Sequence, residues 1–302
     1  MKAVVLHEYG GPEKLKYEDF PDPIPGEGEV LIRQAATSVN PVDIKMRTGE
    51  AKERFPVEFP GILGRDVAGT VRALGPKTTG FAPGDKVIAF ARATYAQLVV
   101  VKAAELTHLP EGLDLIEAAA LPLVTLTGEQ LISRGTKIQP GQTVLVTGAL
   151  GSVGRSAVFT AKKAGAKVIA GVRKKQLNEA AALGADDILA LDDEAAMEKL
   201  GFLDAVADTV GHDTAEKLLA KVKQGGVFAS VLGPPANAKM HPTIHIEPVR
   251  VVPDAAMLRT LAEDALAGRF KIPIDRMVPL EKAAEAQEAA EKGSIGKVLL
   301  LA

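Results

Sequence analysis

The sequence predicts an α/β protein made of a β-rich antiparallel domain and a doubly wound parallel-sheet domain. Two regions of the chain with different residue patterns support this prediction. Residues 1–101 contain short apolar stretches, such as 30–32 and 86–90, separated by Gly, Pro and Asp turn signals. After Pro122, apolar strand candidates without in–out polarity alternate with helix-like segments, which is typical of parallel strands covered on both faces.

These residue patterns predict the individual strands and helices in chain order. In the first part, strands are predicted at 30–32, 67–71, 86–90 and 97–101. In the second part, the predicted strands are 143–147, 167–172, 188–191, 203–208 and 226–232, and the predicted helices are 152–164, 176–183, 215–221 and 254–267. A last apolar strand is predicted at 297–301.

A length of 302 residues also favours two domains, because a single hydrophobic core usually stops growing near this size. We expect the first domain to span 1–122 and the second to span 123–267. A final strand after a complete α/β unit is expected to return to the first domain, so residues 268–302 are predicted to complete it.

The composition excludes several classes of function. The chain has no cysteine, which excludes disulfides, thiolate nucleophiles, iron–sulfur clusters and cysteine-based zinc sites. Its net charge of −2, scattered cations and 4% aromatic content give no reason to expect a nucleic-acid partner. No apolar run approaches the roughly 20 residues that span a bilayer. We therefore expect a cytoplasmic protein that acts on a small molecule.

A glycine-rich turn at 148–154, reading Gly-Ala-Leu-Gly-Ser-Val-Gly, predicts a dinucleotide-binding site, because it follows an apolar strand and opens a helix. Ala149 takes the first glycine position and allows the tight turn. Gly151 lets backbone N–H groups approach a pyrophosphate, and Gly154 lets the helix pack closely on the strand. A simple loop turn is the alternative. The cofactor-contact candidates are Ala149, Gly151, Ser152, Val153 and Gly154.

The end of the second strand of this domain bears on the choice of cofactor. An NAD site places an acid on the ribose about 20 residues after the turn, and no acid stands there. Arg173, Lys174 and Lys175 follow Val172 instead, and an Arg fork with a Lys point charge suits a 2′-phosphate. The sequence thus favours NADPH, with Arg173 and Lys174 as ligands. The alternative is a solvated loop at a helix start, where cations are electrostatically unfavourable.

Two further candidates for cofactor contact follow strands of the parallel sheet. Thr209, in the segment 208–211, and Gly233 each come directly after a predicted strand. Open parallel sheets bind their ligands at the carboxyl ends of the strands.

Several segments together resemble the medium-chain dehydrogenase/reductase superfamily, and within it the zinc-independent quinone oxidoreductase branch related to zeta-crystallin. They cover nearly the whole chain in the family's order: 40–43 (Asn-Pro-Val-Asp), 64–69 (Gly-Arg-Asp-Val-Ala-Gly), 118–122, 148–154, 208–211 and 293–297. The resemblance implies a GroES-like catalytic domain, an inserted Rossmann domain, and an active site in the cleft between them. It also implies a homodimer through the edge of the Rossmann sheet, for which residues 243–252 are the candidate.

Departures from the zinc-dependent relatives predict that no metal is bound. Asn40 stands where those relatives have a Cys ligand, and Gly-Arg-Asp at 64–66 replaces their Gly-His-Glu. His241 and His245 have the spacing of a helical metal site, but Pro242 and the alternating residues around them predict an extended segment.

The chemistry that the resemblance implies is hydride transfer from NADPH to a quinone or an α,β-unsaturated carbonyl. By the same resemblance, Asn40, Asp43 and Thr127 lie near the nicotinamide. Asn40 would donate to the nicotinamide or the acceptor oxygen, and Thr127 would orient the carboxamide. Alternatively, Asn40 forms an Asx-type turn before Pro41, and Asp43 is only a buried acceptor for a backbone N–H or an ion-pair partner of Arg65.

Other interpretations stay open on the sequence alone. Gly296 and Lys297 resemble the family's C-terminal segment next to the cofactor, or else form a surface turn before the last strand. The activity is alternatively that of an enoyl-thioester reductase. A non-catalytic NADPH-binding protein of the crystallin kind is a third reading, because no histidine or other residue stands out as the proton donor.

Overall fold

The structure, a computed structural model, describes residues 1–293 and 296–302 of the chain. Its strands are β1 (Lys2–Leu6), β2 (Leu15–Asp19), β3 (Glu29–Ser38), β4 (Gly61–Ile62), β5 (Asp66–Leu74), β6 (Lys86–Phe90), β7 (Leu98–Lys102), β8 (Leu106–His108), β9 (Thr143–Thr147), β10 (Lys167–Val172), β11 (Asp187–Ala190), β12 (Leu203–Asp208), β13 (Val222–Ser230), β14 (His245–Pro248), β15 (Ile274–Pro279) and β16 (Lys297–Leu301). Its α-helices are α1 (Pro41–Thr48), α2 (Pro122–Gln130), α3 (Ser152–Lys163), α4 (Leu177–Ala180), α5 (Glu194–Lys199), α6 (His212–Leu219), α7 (Ala255–Leu266) and α8 (Ala283–Glu291).

The sheet that carries the glycine-rich turn has the strand order β11-β10-β9-β12-β13-β14, and all its neighbouring strands are parallel. Numbered from β9, this is the 3-2-1-4-5-6 order of a Rossmann fold. Val144 and Val146 of β9 are buried in one apolar cluster, whereas Leu145 between them is buried in another. Both faces of the strand are therefore covered, which confirms the predicted doubly wound parallel sheet.

The other strands build two further sheets. One has the order β15-β16-β3-β5-β6-β8, with β7 also paired to β3, and the other has the order β2-β1-β4. Their pairs are antiparallel, except for β15 with β16. Ile32, Val67 and Val87 lie in the apolar cluster of the larger sheet. These antiparallel sheets correspond to the predicted β-rich, GroES-like part.

The chain divides into two compact units. The first contains Met1–Leu123, Pro253–Gly268 and Ile272–Ala302, and the second contains Val124–Val252 and Arg269–Lys271. The sequence-based boundaries differ from this division mainly at 253–267, which they assign to the nucleotide-binding domain, and by a few residues at 123 and 269–271.

A contact within the first unit accounts for that difference. Helix α7 lies beside strand β8, and the Arg259 guanidinium donates a hydrogen bond to the carbonyl oxygen of His108 (3.1 Å). An amphipathic helix at the end of a βα series gives no sequence signal for the sheet on which it packs.

The predicted elements agree with the structure most closely where the apolar pattern is strong. β6, β9, β10, β12 and β16 have the predicted bounds. The strand expected at 226–232 is instead β13, which begins four residues earlier through a register shift beside Gly226. The helix expected at 176–183 is reduced to α4 between 3₁₀ turns. Helices α1, α2, α5 and α8 lie outside the predicted helices, and alanines and charges dominate the sequences of α5 and α8.

His245 begins the extended strand β14, as its alternating neighbours predict. This strand lies at the edge of the parallel sheet.

Among the helices of residues 1–293 and 296–302, none combines the length and the apolar character needed to cross a bilayer.

Candidate cofactor and active site

The glycine-rich turn joins β9 to α3, and its glycines occupy three different environments. Gly148 has a left-handed backbone (φ 60°), and a Cβ on it would lie 2.6 Å from the Thr209 hydroxyl oxygen. A Cβ on Gly151 would meet only the Gly148 carbonyl oxygen, at 3.2 Å, so the space above Gly151 is open. A Cβ on Gly154 would overlap that same carbonyl oxygen and lie 2.7 Å from the Ala149 Cα. The turn therefore fits a dinucleotide, with an open approach at Gly151 and close helix packing at Gly154.

The other residues of the turn divide between scaffold and ligand-facing positions. Ala149 is fully buried, and its N–H donates to the Gly171 carbonyl oxygen (3.1 Å), so its amide is engaged within the protein. Ser152 and Val153 form the first turn of α3 and are partly exposed. The first N–H groups of a helix have no partner within the helix, and they favour an anion. The arrangement leaves Ser152 and Val153 as the residues whose amides suit a phosphate.

A buried carboxylate behind the turn ties together three strand ends. Oδ1 of Asp208 accepts hydrogen bonds from the Thr147 hydroxyl (2.9 Å) and from the Gly211 N–H (3.0 Å). Its Oδ2 accepts from the Ser230 hydroxyl (2.7 Å). The hydroxyl of Thr209, a predicted cofactor ligand, donates to the Thr147 carbonyl oxygen (2.7 Å). Thr209 thus helps to hold the adjacent glycine-rich turn in place. Its hydroxyl hydrogen is donated to a backbone carbonyl of the protein.

The end of β10 carries both cations and acids. Arg173 is exposed, and within the described residues it makes no ion pair. Lys174 forms a salt bridge with Asp193 (2.8 Å), and its backbone N–H donates to Asp192 Oδ1 (2.6 Å). Both acids come from the loop after β11, which lies next to β10. Sequence reasoning missed them because it considered only residues that follow β10 directly, although neighbouring parallel strands end at the same edge.

A buried polar cluster forms in the first unit around Asn40, at the N-terminus of α1. Nδ2 of Asn40 donates to Asp66 Oδ2 (2.7 Å), and its Oδ1 accepts from Lys297 Nζ (2.6 Å). Lys297 Nζ lies 4.0 Å from the Asp66 carboxylate, which also accepts from the Ser38 hydroxyl and the Leu123 N–H (2.7 Å). Asn40, Asp66 and Lys297 are all at least 95% buried. Both ends of the Asn40 amide therefore have protein partners.

Asp43 is the buried acceptor that the sequence offered as an alternative. Its Oδ2 accepts from the Asn40 backbone N–H (2.9 Å) and from the Tyr95 hydroxyl (3.3 Å), and its Oδ1 has no hydrogen-bond partner among the described residues. The Asp43 N–H donates to the Asn40 carbonyl oxygen (2.9 Å), while the Asn40 side chain bonds to Asp66 and Lys297. Burial raises the pKa of Asp43 to about 6, opposed by the charge of Arg65. Burial also raises the pKa of Tyr95 well above its ordinary value.

Asn40 and the segment 64–66 are the positions that the sequence resemblance matches to the metal site of zinc-dependent relatives. Asn40 and Asp66 are hydrogen-bonded to each other, and the Lys297 ammonium lies beside them. Arg65 is largely buried, with its guanidinium 5.4 Å from the centroid of the Phe55 ring and one nitrogen 3.2 Å from the Met46 sulfur. In the part of the chain that the structure describes, no three His, Asp or Glu side chains group in a way that could hold a metal ion.

The remaining candidates lie at separate places. Thr127 is a buried residue of α2. Gly233 follows β13 with a left-handed backbone (φ 112°). A Cβ on Gly296 would lie 2.6 Å from the Pro273 carbonyl oxygen, so this glycine permits the close approach of the two chain segments. Ser294 and Ile295, which belong to the motif at 293–297, lie outside the described residues.

The candidates thus fall into two groups, one in each unit. Asn40, Asp43, Gly296 and Lys297 belong to the first unit, and Thr127, Ala149, Gly151, Ser152, Val153, Gly154, Arg173, Lys174, Thr209 and Gly233 belong to the second.

Asp43 should make the stability of the protein depend on pH. Its pKa of about 6 lies above the ordinary value of 3.8, so the folded state holds this proton more tightly than the unfolded chain. The stabilisation is complete below about pH 4 and is lost as the pH rises through 6. Relative to Asp43→Asn, wild type should lose about 1.4 kcal/mol of unfolding free energy per pH unit across this window. Urea unfolding of both proteins from pH 4 to 8 measures this, and a constant difference between them would contradict it.

Comparison with known families supports the superfamily assignment. Residues 26–111 match the family described as alcohol dehydrogenase GroES-like domain, and residues 183–300 match the one described as zinc-binding dehydrogenase. A chloroplast envelope quinone oxidoreductase homolog of Arabidopsis thaliana is 31% identical over 99% of this chain and 98% of that protein. An acryloyl-coenzyme A reductase of Sulfurisphaera tokodaii is 30% identical over 99% of each. A chloroplastic quinone oxidoreductase of Triphysaria versicolor is 34% identical over 63% of this chain, and the match spans 60% of that relative's length.

Solved structures with the same fold support the same assignment. The quinone oxidoreductase from Coxiella burnetii has a TM-score of 0.88 at 27% identity, covering 100% of this chain and 99% of that one. An NAD-dependent alcohol dehydrogenase has a TM-score of 0.88 at 30% identity, and a mycobacterial protein complexed with NADPH has 0.87 at 27%, each covering 100% of both chains.

The Rossmann sheet and its glycine-rich turn define a nicotinamide-dependent oxidoreductase. The chain belongs to the medium-chain dehydrogenase/reductase superfamily, and several of its relatives are named quinone oxidoreductase. The resemblance inferred from the sequence motifs is confirmed.

Proposed function

We propose that this protein is a zinc-independent, NADPH-dependent reductase of quinones or α,β-unsaturated carbonyls. The observation that carries the proposal is the cluster of Asn40, Asp66 and Lys297, because an amide and an ammonium lie at the positions that the sequence resemblance matches to the zinc site of metal-dependent relatives. An acceptor that is already electrophilic needs no Lewis acid, so this site suits quinones and enones better than alcohols. The quinone oxidoreductases among the relatives support the same substrate class.

The cofactor fits residues of the second unit. The open space at Gly151 and the amides of Ser152 and Val153 suit a pyrophosphate at the N-terminus of α3. The exposed Arg173 guanidinium suits the 2′-phosphate that distinguishes NADPH from NADH. Asp208 holds the loop beside the turn in place. When bound, the reduced nicotinamide supplies the hydride.

The first unit supplies charge and a group that can hold a proton. Lys297 places a buried positive charge beside Asn40, and burial lowers its pKa while the Asp66 and Asp43 carboxylates oppose this. Asp43, with a pKa of about 6, is partly protonated near neutral pH. It is therefore our candidate for the group that holds the proton needed to complete the reduction.

Steady-state assays test this function directly. Purified protein should oxidise NADPH with at least one member of a panel of quinones and 2-alkenals, and it should keep this activity after treatment with a chelator. NADH should support a lower kcat/KM than NADPH. The absence of NADPH oxidation with every acceptor, despite tight NADPH binding, would favour the non-catalytic, crystallin-like alternative.

A second candidate function is the reduction of an enoyl thioester. It is favoured by the acryloyl-coenzyme A reductase of Sulfurisphaera tokodaii, which matches this chain over nearly its full length. Crotonyl-CoA added to the same assay separates the two functions, because a thioester reductase should turn it over with a higher kcat/KM than any quinone.

A further inference from the structure

The predicted 2′-phosphate site contains a cation that is already paired. Lys174 Nζ lies 2.8 Å from Asp193 Oδ2, and the Lys174 side chain is largely exposed. Their hydrogen bond raises the pKa of Lys174 and lowers the pKa of Asp193, so both groups stay charged at neutral pH. Lys174 is therefore already paired with a carboxylate of the protein itself.

The topology of the sheet explains why this carboxylate is there. β10 and β11 are parallel neighbours, with Val172 opposite Ala190, so their carboxyl ends lie at the same edge. Asp192 and Asp193 follow β11 by two and three residues. Asp192 Oδ1 accepts the Lys174 backbone N–H (2.6 Å), which fixes the acidic loop against the basic one. Two carboxylates thus contact Lys174, one at its ammonium and one at its backbone N–H, and Lys174 is a predicted ligand of the 2′-phosphate.

We infer that Asp193 is a specificity-determining residue of the cofactor site, acting as the internal counter-anion of Lys174. NADPH must exchange the Asp193 carboxylate for its own 2′-phosphate on Lys174, whereas NADH leaves the Lys174–Asp193 pair intact. Asp193 therefore reduces the preference for NADPH that Arg173 and Lys174 would otherwise give. This inference rests on the proposed function, because it assigns the 2′-phosphate to the end of β10.

A second role of Asp193 determines which variant tests this. Asp193 caps α5, because its Oδ1 accepts the Ala196 backbone N–H (3.2 Å). Serine caps a helix as well as aspartate does but carries no charge, so Asp193→Ser removes the counter-anion and keeps the cap. Lys174→Met removes the other member of the pair. The double variant Lys174→Met/Asp193→Ser shows whether Asp193 acts through Lys174.

The experiment titrates wild type and these variants with NADPH and NADH by cofactor fluorescence, with 2′,5′-ADP and 5′-AMP as competitors that isolate the phosphate. Asp193→Ser should tighten NADPH and 2′,5′-ADP by about three- to fivefold, as expected for removing one exposed ion pair, and leave NADH and 5′-AMP unchanged. In the Lys174→Met background the gain from Asp193→Ser should fall below about twofold. Added salt should reduce the gain.

Each outcome decides one question. Unchanged NADPH affinity in Asp193→Ser, with a wild-type melting temperature, overturns the inference, and so does an equal tightening of NADH. Arg173→Ala should weaken NADPH about tenfold, and the absence of any effect would show that the 2′-phosphate binds elsewhere and would also overturn it. A wild-type protein that binds neither nucleotide would contradict the proposed function instead.

Discussion

Gly154→Ala is expected to lower the free energy of unfolding by about 2–3 kcal/mol and to abolish measurable NADPH binding. The added methyl group would overlap the Gly148 carbonyl oxygen and lie 2.7 Å from the Ala149 Cα. These are backbone atoms, and hydrogen bonds hold them, since the Gly151 N–H donates to Gly148 and the Ala149 N–H to Gly171. The helix must therefore move away from the strand, and the turn that we propose as the pyrophosphate site moves with it.

Two glycines of the same unit serve as matched controls for this variant. Gly151→Ala adds a methyl group whose nearest atom is the Gly148 carbonyl oxygen at 3.2 Å, so it needs a much smaller shift than Gly154→Ala and should cost less stability while its NADPH affinity falls. Gly201→Ala adds one into open space and should change neither quantity. Chemical unfolding and cofactor titration of the three variants measure both. Wild-type stability and affinity in Gly154→Ala would show that the turn is not built as described.

Lys297→Met is expected to lower the free energy of unfolding by about 3–5 kcal/mol, because it removes one member of a buried charged pair. Lys297 is 5% exposed and lies 4.0 Å from the Asp66 carboxylate, which is 1% exposed. Its ammonium also donates to Asn40 Oδ1 and to the Val39 carbonyl oxygen (2.9 Å). Methionine keeps most of the volume but leaves the buried Asp66 carboxylate without its cation, and leaves two buried acceptors, Asn40 Oδ1 and the Val39 carbonyl oxygen, without their donor.

A second substitution separates charge from packing in this cluster. If the loss comes from the unpaired Asp66 carboxylate, Asp66→Asn should recover more than about 1 kcal/mol in the Lys297→Met background while destabilising the wild-type protein. Lys292→Met removes the same charge from an exposed position and should stay within about 0.5 kcal/mol of wild type. Additive effects of the two buried substitutions would show that Lys297 and Asp66 do not interact.

The parts of the fold that the sequence predicts well are those encoded by neighbouring residues. The apolar run of β9, the glycine spacing from Gly148 to Gly154 and the start of α3 all lie within one short segment, and each has the predicted bounds. The local pattern of apolar residues does not predict an element whose formation depends on tertiary packing. Helix α8 has no apolar residue besides alanine, and it is buried through Ala283, Ala286 and Gln287.

The candidate site shows the same division. The glycine-rich turn could be assigned from its residues alone, but the partners of Asn40 could not, because Lys297 reaches it only through the pairing of β16 with β3. The acids beside Lys174 were missed for a similar reason, since they arrive from the adjacent strand β11. Resemblance to a family can identify the residues of a site. It does not show which hydrogen bonds those residues form within this protein.

The pairing of β16 with β3 also has a consequence for the order in which the chain folds during synthesis. The Lys297–Asn40 contact joins residues 257 positions apart, so at about 5–20 residues per second a ribosome needs roughly 13–50 s to supply the lysine after the asparagine. Asn40 and Asp66 lack their cation throughout this interval. All six strands of the parallel sheet emerge within it, so the second unit can form its sheet before the first sheet receives its last strand. The larger antiparallel sheet is therefore the last of the three sheets to receive all its strands.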